Sequence, residues 1–354
     1  MRVYPVPIGE VRENRSVFQS PLWGRFKENR GHPVGTFRVE SGGKDFPILI
    51  VYRPFAEGTL AAYLPYGPEA EVSESEQGPF LEELAEVIRP YLLEDCSFIR
   101  FDLPWANPFQ EADRFDENGM WRGPPEARVR EMRMNFGSGR WNLFKAPTDL
   151  KPTDSVVVDL KRTDGEILGD MKSKTRYNIR LAGRRGVEVS VTAEEGLEEW
   201  HRLHRETAER KGITEESLEY FDDLFRTESS RGSIRLLRAH RSGRLLAAAV
   251  IALYKERAYY LYGASSSRER RNMAPYALQW RGITYAREWG CRSYDLYGIP
   301  PSNDPSHPLW GLYRFKTGFG GRILHYRGCW DYPYDRELYK RHAGARGMVN
   351  PYHR

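Results

Sequence analysis

SIRLLRAHRSGRLLAAAVIALYKERAYYLYGAS (Ser233–Ser265) reads as three successive strands. Its middle, LLAAAVIALY (Leu245–Tyr254), is the most apolar stretch of the chain. It is too short to span a bilayer and reads as a buried strand. YALQWRGITYAREWG (Tyr276–Gly290) follows as a helix, and RSYDLYG adds a further strand. Working outward, DSVVVDL (Asp154–Leu160) is a strand and Asp164–Gly186 one helix with a glycine stop. VEVSVT is a strand and LEEWHRLHRETAERKG an amphipathic helix. The first third has similar grammar. FPILIVYRPF (Phe46–Phe55) is a strand, and TLAAYLPYGPEA is a strand running into a turn. PFLEELAEVIRPYLLE (Pro79–Glu94) is a helix ending near Pro90, and SFIRFDLPW (Ser97–Trp105) is the next strand. This predicts two α+β units, 1–152 and 153–321, with 322–354 completing the first and the polar end from Lys340 loosely held.

The 354 residues are enough for two domains. A net charge of +5 permits a local phosphate-binding face without demanding a nucleic-acid coat. The 21 Tyr and 9 Trp suit a core, and also surfaces that stack on sugars or bases. Cys96, Cys291 and Cys329 lie far apart with no CxxC pair, so a reducing compartment fits and a zinc site does not. The N-terminus has no apolar signal region. The expected location is the cytoplasm, with peripheral contact to the inner membrane face as the furthest extension.

Several stretches in order resemble the FemABX family, whose members use aminoacyl-tRNA to add amino acids to the peptide stem of peptidoglycan precursors. They are FQSPLWGRFKENRG (Phe18–Gly31), YLPYGPE (Tyr63–Glu69), KPTDSVVVDL (Lys151–Leu160), MKSKTRYNIRLAGRRGVEV (Met171–Val189), HRETAERKGI (His204–Ile213), YLYGASS (Tyr260–Ser266) and SNDPSHPLWGLYRFKTGFGG (Ser302–Gly321). The resemblance implies an α+β fold of two tandem GNAT-like domains, in the compact form without the long helical arm. It implies aminoacyl-tRNA as co-substrate, no cofactor and no metal. The implied acceptor is a peptidoglycan precursor, either UDP-MurNAc-pentapeptide or lipid II.

The implied reaction is attack by a primary amine on an aminoacyl ester that is already activated. The protein's share is then positioning and charge stabilisation. The resemblance gives Lys316 the role of neutralising charge near the ester, and sets Phe315 against the terminal adenosine or ribose, with Arg314 beside them. Gly318, Gly320 and Gly321 let backbone approach closely. The alternative for Lys316 is a core strand with a snorkelling lysine. Lys172, Arg176, Arg180 and Arg184 fall on one helix face, where unpaired like charges favour contact with a polyanion, or else a solvated face. Lys27 and Arg210 match the family's phosphate contacts. Tyr260 and Tyr262, two apart on one strand face, lie near its precursor-contacting tyrosines. Packing is the alternative for all four. Asp102 is either a proton acceptor for the amine or an ordinary turn former before a proline. Asn303, Asp304 and His307 read as a shaped loop.

Two other classes remain. One is a CoA-dependent N-acyltransferase, which holds a pyrophosphate on a Gly-rich loop at a helix start. The comparable stretch here, SRERRNMAPYALQW (Ser267–Trp280), has Met273 and Pro275 where small glycines would help. The other is a tRNA-binding protein without catalysis.

Overall fold

In the computed structural model, residues 1–110, 114–117, 121–227, 229 and 232–343 are described. Of the polar end expected to be loosely held, Lys340–Ala343 is helical, and the residues from 344 on lie outside those described. The chain divides into two compact units. The first holds Met1–Asp154, Pro300–Pro308 and His325 onward; the second holds Ser155–Ile299 and Leu309–Leu324. The loop Pro300–Pro308 therefore groups with the first unit, although it lies inside the sequence-based second domain.

The first unit contains β1 (Arg2–Pro5), α1 (Pro21–Asn29), β2 (Val34–Ser41), β3 (Lys44–Pro54), β4 (Leu60–Leu64), α2 (Gln77–Ile88), β5 (Cys96–Ala106), α3 (Ala127–Asn135) and the two-residue β6 (Phe144–Lys145). The second contains β7 (Asp154–Asp159), α4 (Asp164–Asp170), α5 (Ser173–Arg184), β8 (Glu188–Thr192), α6 (Leu197–Lys211), α7 (Leu218–Arg226), β9 (Gly232–Arg241), β10 (Arg244–Tyr254), β11 (Arg257–Ser265), α8 (Ala274–Glu288), β12 (Ser293–Asp295) and α9 (Trp310–Thr317). The chain then runs through β13 (Arg322–Pro333) and α10 (Arg336–Ala343).

The two units share one strand plan. In the first, the order is β1-β2-β3-β4-β5-β13. Neighbours are antiparallel except β4 and β5, which run parallel with α2 between them in sequence. In the second, the order is β8-β9-β10-β11-β12-β7, antiparallel except β11 and β12, which run parallel with α8 between them. A parallel pair needs a crossover, and a helix supplies it. The core of the second unit lies around β10, buried at every position but its first, as its unbroken apolar run requires. α6 buries Leu197, Trp200, Leu203, His204, Thr207 and Ala208, one stripe at helical spacing.

The single helix expected over Asp164–Gly186 is in fact two helices, α4 and α5. Met171 turns extended and buries its side chain, which ends α4. The Lys172 N–H then donates to the Gly318 carbonyl at 2.9 Å. The glycine run Gly318–Gly321 presses against this break. A Cβ on Gly318 would lie 2.4 Å from Thr175 Oγ1, and one on Gly320 2.5 Å from the Asp170 carbonyl oxygen. The glycines thus bring the chain close to itself.

In the first unit, Gln19 is fully buried and stitches β3 to the turn after β4. Its amide donates to the carbonyls of Leu49 (3.0 Å) and Pro65 (2.8 Å) and accepts from the Leu49 N–H (2.8 Å). Gln19→Leu leaves these buried groups unpaired. It is expected to destabilise the chain by about 2–4 kcal/mol in denaturant unfolding; a loss below about 0.5 kcal/mol would contradict this bonding role.

Candidate active site

Lys316 sits in the last turn of α9, not on a strand, and is only 3% exposed. Its Nζ donates to the carbonyls of Tyr297 (3.0 Å) and Gly298 (2.8 Å) and lies 5.3 Å from the Tyr260 ring centroid. Those carbonyls are aimed by Asp295 at the end of β12. Its Oδ1 accepts from the Tyr297 N–H at 2.7 Å and from the Ser155 hydroxyl, and Tyr297 takes a left-handed φ of 60°. Burial pushes the Lys316 ammonium down to about 7, against the pull of Asp295. Burial also raises Asp295, opposed by its Ser155 and Tyr297 hydrogen bonds and then by Lys316. Two of three ammonium N–H bonds are engaged on carbonyls, and the third can meet a developing negative charge.

The first unit has its own buried acid and lysine. Asp102 on β5 is 1% exposed and accepts from the Tyr63 hydroxyl at 2.6 Å. Burial raises its pKa, and the Tyr63 bond and Lys151 pull it back. Lys151 is lowered by burial, and Asp102 restores part of its charge. Its Nζ lies 3.6 Å from the Phe18 ring centroid, 5.1 Å from Trp23 and 5.8 Å from Tyr66, an aromatic cage for a cation. Tyr66 is held over it in a left-handed conformation, φ 44°, with its hydroxyl donating to the Pro152 carbonyl at 2.9 Å. Lys27 stands beside this cage, 4.9 Å from Trp23 and 4.8 Å from Phe26. Lys27 and Arg53 both depress Lys151, and after burial the field of Lys27, Arg53 and Arg30 depresses His32. The group forms a strongly positive, aromatic-walled face.

The other sequence-predicted residues are placed as follows. Phe315 packs edge-on against Tyr276 (5.1 Å) and Phe319 (5.3 Å). Arg314 is exposed and lies 4.7 Å over the Trp310 ring. Tyr260 and Tyr262 do not share a face. A bulge at Leu261 shifts the register, so that Val250 faces Tyr262 and Ile251 faces Tyr260. Tyr260 lies over Gly263, where a Cβ would come 1.6 Å from its hydroxyl, and packs on the main core of the unit. Tyr262 packs against His204, Tyr220 and Phe221 of α6 and α7, sharing a 2.7 Å hydroxyl contact with Tyr220. Arg210 donates to the Ser265 carbonyl at 2.7 Å. Arg176 caps α4, donating to the carbonyls of Met171 and Gly169. On the i, i+4 row, Lys172, Arg180 and Arg184 remain exposed. Asp304 forms a tight turn, accepting the Ser306 N–H and hydroxyl at 2.8 Å each. Sequence reasoning missed Lys151 and Asp295. Lys151 opens KPTDSVVVDL beside a proline, and Asp295 lies in the middle of RSYDLYG; neither position marks a site residue.

The chain belongs to the FemAB family, whose profile matches residues 10–241 and 228–346. A Staphylococcus haemolyticus protein named Lipid II:glycine glycyltransferase is 22% identical over 255 residues, 54% of this chain and 61% of its own length. The chain thus spans about three fifths of the curated relatives it matches. The crystal structure of FemX superposes with a TM-score of 0.75 at 19% identity, covering 96% of this chain and 99% of that one. A tandem GNAT protein from the clavulanic acid biosynthesis pathway gives 0.50 at 12% identity, covering 94% and 98%. The fold is therefore mixed α+β of tandem GNAT type. Among the described residues the longest helices have 15 residues, and no helix is long and apolar enough to cross a membrane.

Lys316 binds its proton near 10.5 in the unfolded chain and near 7 in the folded one. The unfolded state therefore takes up the proton first as pH falls, and the wild type loses stability between those values and no more below them. Relative to Lys316→Met, the wild type is expected to lose about 3–4 kcal/mol between pH 10 and pH 7 in denaturant unfolding. A difference that stays constant with pH would contradict the buried ammonium.

Proposed function

We propose that this chain is an aminoacyltransferase that moves an amino acid from the terminal ester of a charged tRNA to a stem-peptide amine of a lipid-linked peptidoglycan precursor. The observation that carries this reading is Lys316: a buried lysine, held by two carbonyls and tuned to about 7, in a FemAB chain. The amine lone pair attacks the ester carbon, a C–N bond forms, and the C–O bond to the ribose breaks. The amine's surplus proton goes to the departing ribose oxygen. The remaining Lys316 N–H faces the carbonyl oxygen as it gains charge. In a dry site such a donor acts mainly on the transition state. Within the first unit, the cationic face of Lys27, Arg53 and Lys151 is the proposed seat for the acceptor's phosphates.

The loop before α8 supports an ester donor over CoA. Arg241 (3.2 Å), Arg244 (3.0 Å) and the Asn272 amide (2.7 Å) already grip the carboxylate of Glu269, which would repel a pyrophosphate. Met273 starts the helix in a left-handed conformation, φ 57°, and Pro275 has no N–H to offer. The glycyltransferase names of the curated relatives support the lipid-linked acceptor.

The test is a transfer assay with a total pool of charged tRNA, each amino acid labelled in turn, and either form of precursor. Label is expected to reach the lipid-linked precursor, and Lys316→Met to lower kcat/KM about 100-fold or more while the chain still binds charged tRNA. Full activity in Lys316→Met, or no transfer from any tRNA, would sink the reading.

A further inference from the structure

Ten large apolar side chains are exposed among the described residues, and four of them fall between residues 129 and 141. Val129, Met132 and Phe136 follow i, i+3, i+7 spacing along α3 and its C-terminus, so they form one outward stripe. They are 41%, 56% and 73% exposed. Arg128 flanks the stripe on one side and Arg133 on the other; Arg133 is paired with Glu74, and the exposed Glu126 stands at the start of the helix. Trp141, 53% exposed, follows in the next loop in a left-handed conformation, φ 50°. Arg140 stands beside it, its side chain largely exposed and paired with Glu86 at 3.3 Å.

This apolar surface is held out by a rigid frame. The inward face of α3 lies so close to α2 that a Cβ on Gly78 would sit 1.6 Å from the Met134 carbonyl oxygen. Asn135 spans the loop, donating to the Leu143 carbonyl (2.8 Å) and accepting the Leu143 N–H (3.0 Å). Glu82 accepts the N–H groups of Gly139 (2.7 Å) and Arg140 (2.9 Å). Arg336 donates to the carbonyls of Arg140 (3.0 Å) and Trp141 (3.3 Å). A frame of this kind keeps large apolar groups in water, which marks a contact surface rather than slack packing.

We infer that the outward face of α3, with Trp141, docks the first unit on an anionic lipid surface. An apolar centre edged by the exposed Arg128, with Arg133 and Arg140 at its rim paired to Glu74 and Glu86, suits insertion at the headgroup boundary with Arg128 at the phosphates. An aromatic with a polar edge, such as Trp141, suits the same depth. The inference rests on the proposed lipid-linked acceptor, which a surface-docked chain would meet at the membrane.

The test is flotation of the full chain with phosphatidylcholine vesicles, with and without about 30% phosphatidylglycerol. The expected result is binding to the anionic vesicles only, lowered about tenfold or more by Met132→Asp or Phe136→Asp and weakened by salt. Both side chains are exposed, so circular dichroism and the unfolding temperature should match the wild type. Failure to bind anionic vesicles, equal binding to both kinds, or binding unchanged in both variants would overturn the proposal. So would a concentration-dependent dimer in sedimentation that the same variants abolish, which would assign the face to a second copy. None of these readings requires turnover, so failure here is distinguishable from failure of the transfer assay.

Discussion

A lysine cannot be buried without acceptors, and the second unit is organised around satisfying one. Lys316 has two carbonyls within 3.0 Å, and those carbonyls point inward because Asp295 folds Tyr297 into a left-handed turn. α9 must then end where the lysine is, and the chain must leave it through a space that only glycine fits. The break between α4 and α5 follows from the same crowding, since Gly318 and Gly320 lie against it. A charge held this way is desolvated and fixed, which is the condition under which one donor can matter to a reaction.

The same solution occurs in each unit, on the same strand plan. The buried carboxylate sits on the fifth strand of each order, Asp102 on β5 and Asp295 on β12. Each has a lysine from outside the sheet's central strands in its field. The surroundings differ. Carbonyls hold Lys316, which orients a single donor, whereas aromatic rings wall Lys151 and other cations stand near it. The first arrangement suits an oxygen that gains charge during reaction, and the second suits a group that is charged throughout.

The strands were legible in sequence because their apolar runs are long. Leu245–Tyr254 is one, and the alternation of strand and helix around it carries the two-unit plan. The split at Met171 was not legible, since tertiary contact with the glycine run imposes it on a segment of good helix spacing. Nor was the bulge at Leu261, which leaves no local mark and moves Tyr260 and Tyr262 to opposite faces. Lys316 stood out by resemblance, but its burial could not be read, because a lysine is ordinarily exposed. Lys151 and Asp295 were hidden by their ordinary strand-edge contexts. The α3 stripe, if read by spacing alone, would have been assigned to a core.

The donor is what separates an aminoacyltransferase from a CoA-dependent enzyme. A tandem GNAT fold is shared with CoA enzymes, so fold alone does not choose between an ester on RNA and a thioester on CoA. The choice rests on Glu269 and Met273 at the start of α8 and on the positioned ammonium of Lys316. The most direct measurement is ligand protection against thermal unfolding, with charged tRNA and CoA compared on the same protein. The account predicts that charged tRNA raises the unfolding temperature and CoA leaves it unchanged. Protection by CoA with no response to charged tRNA would contradict it.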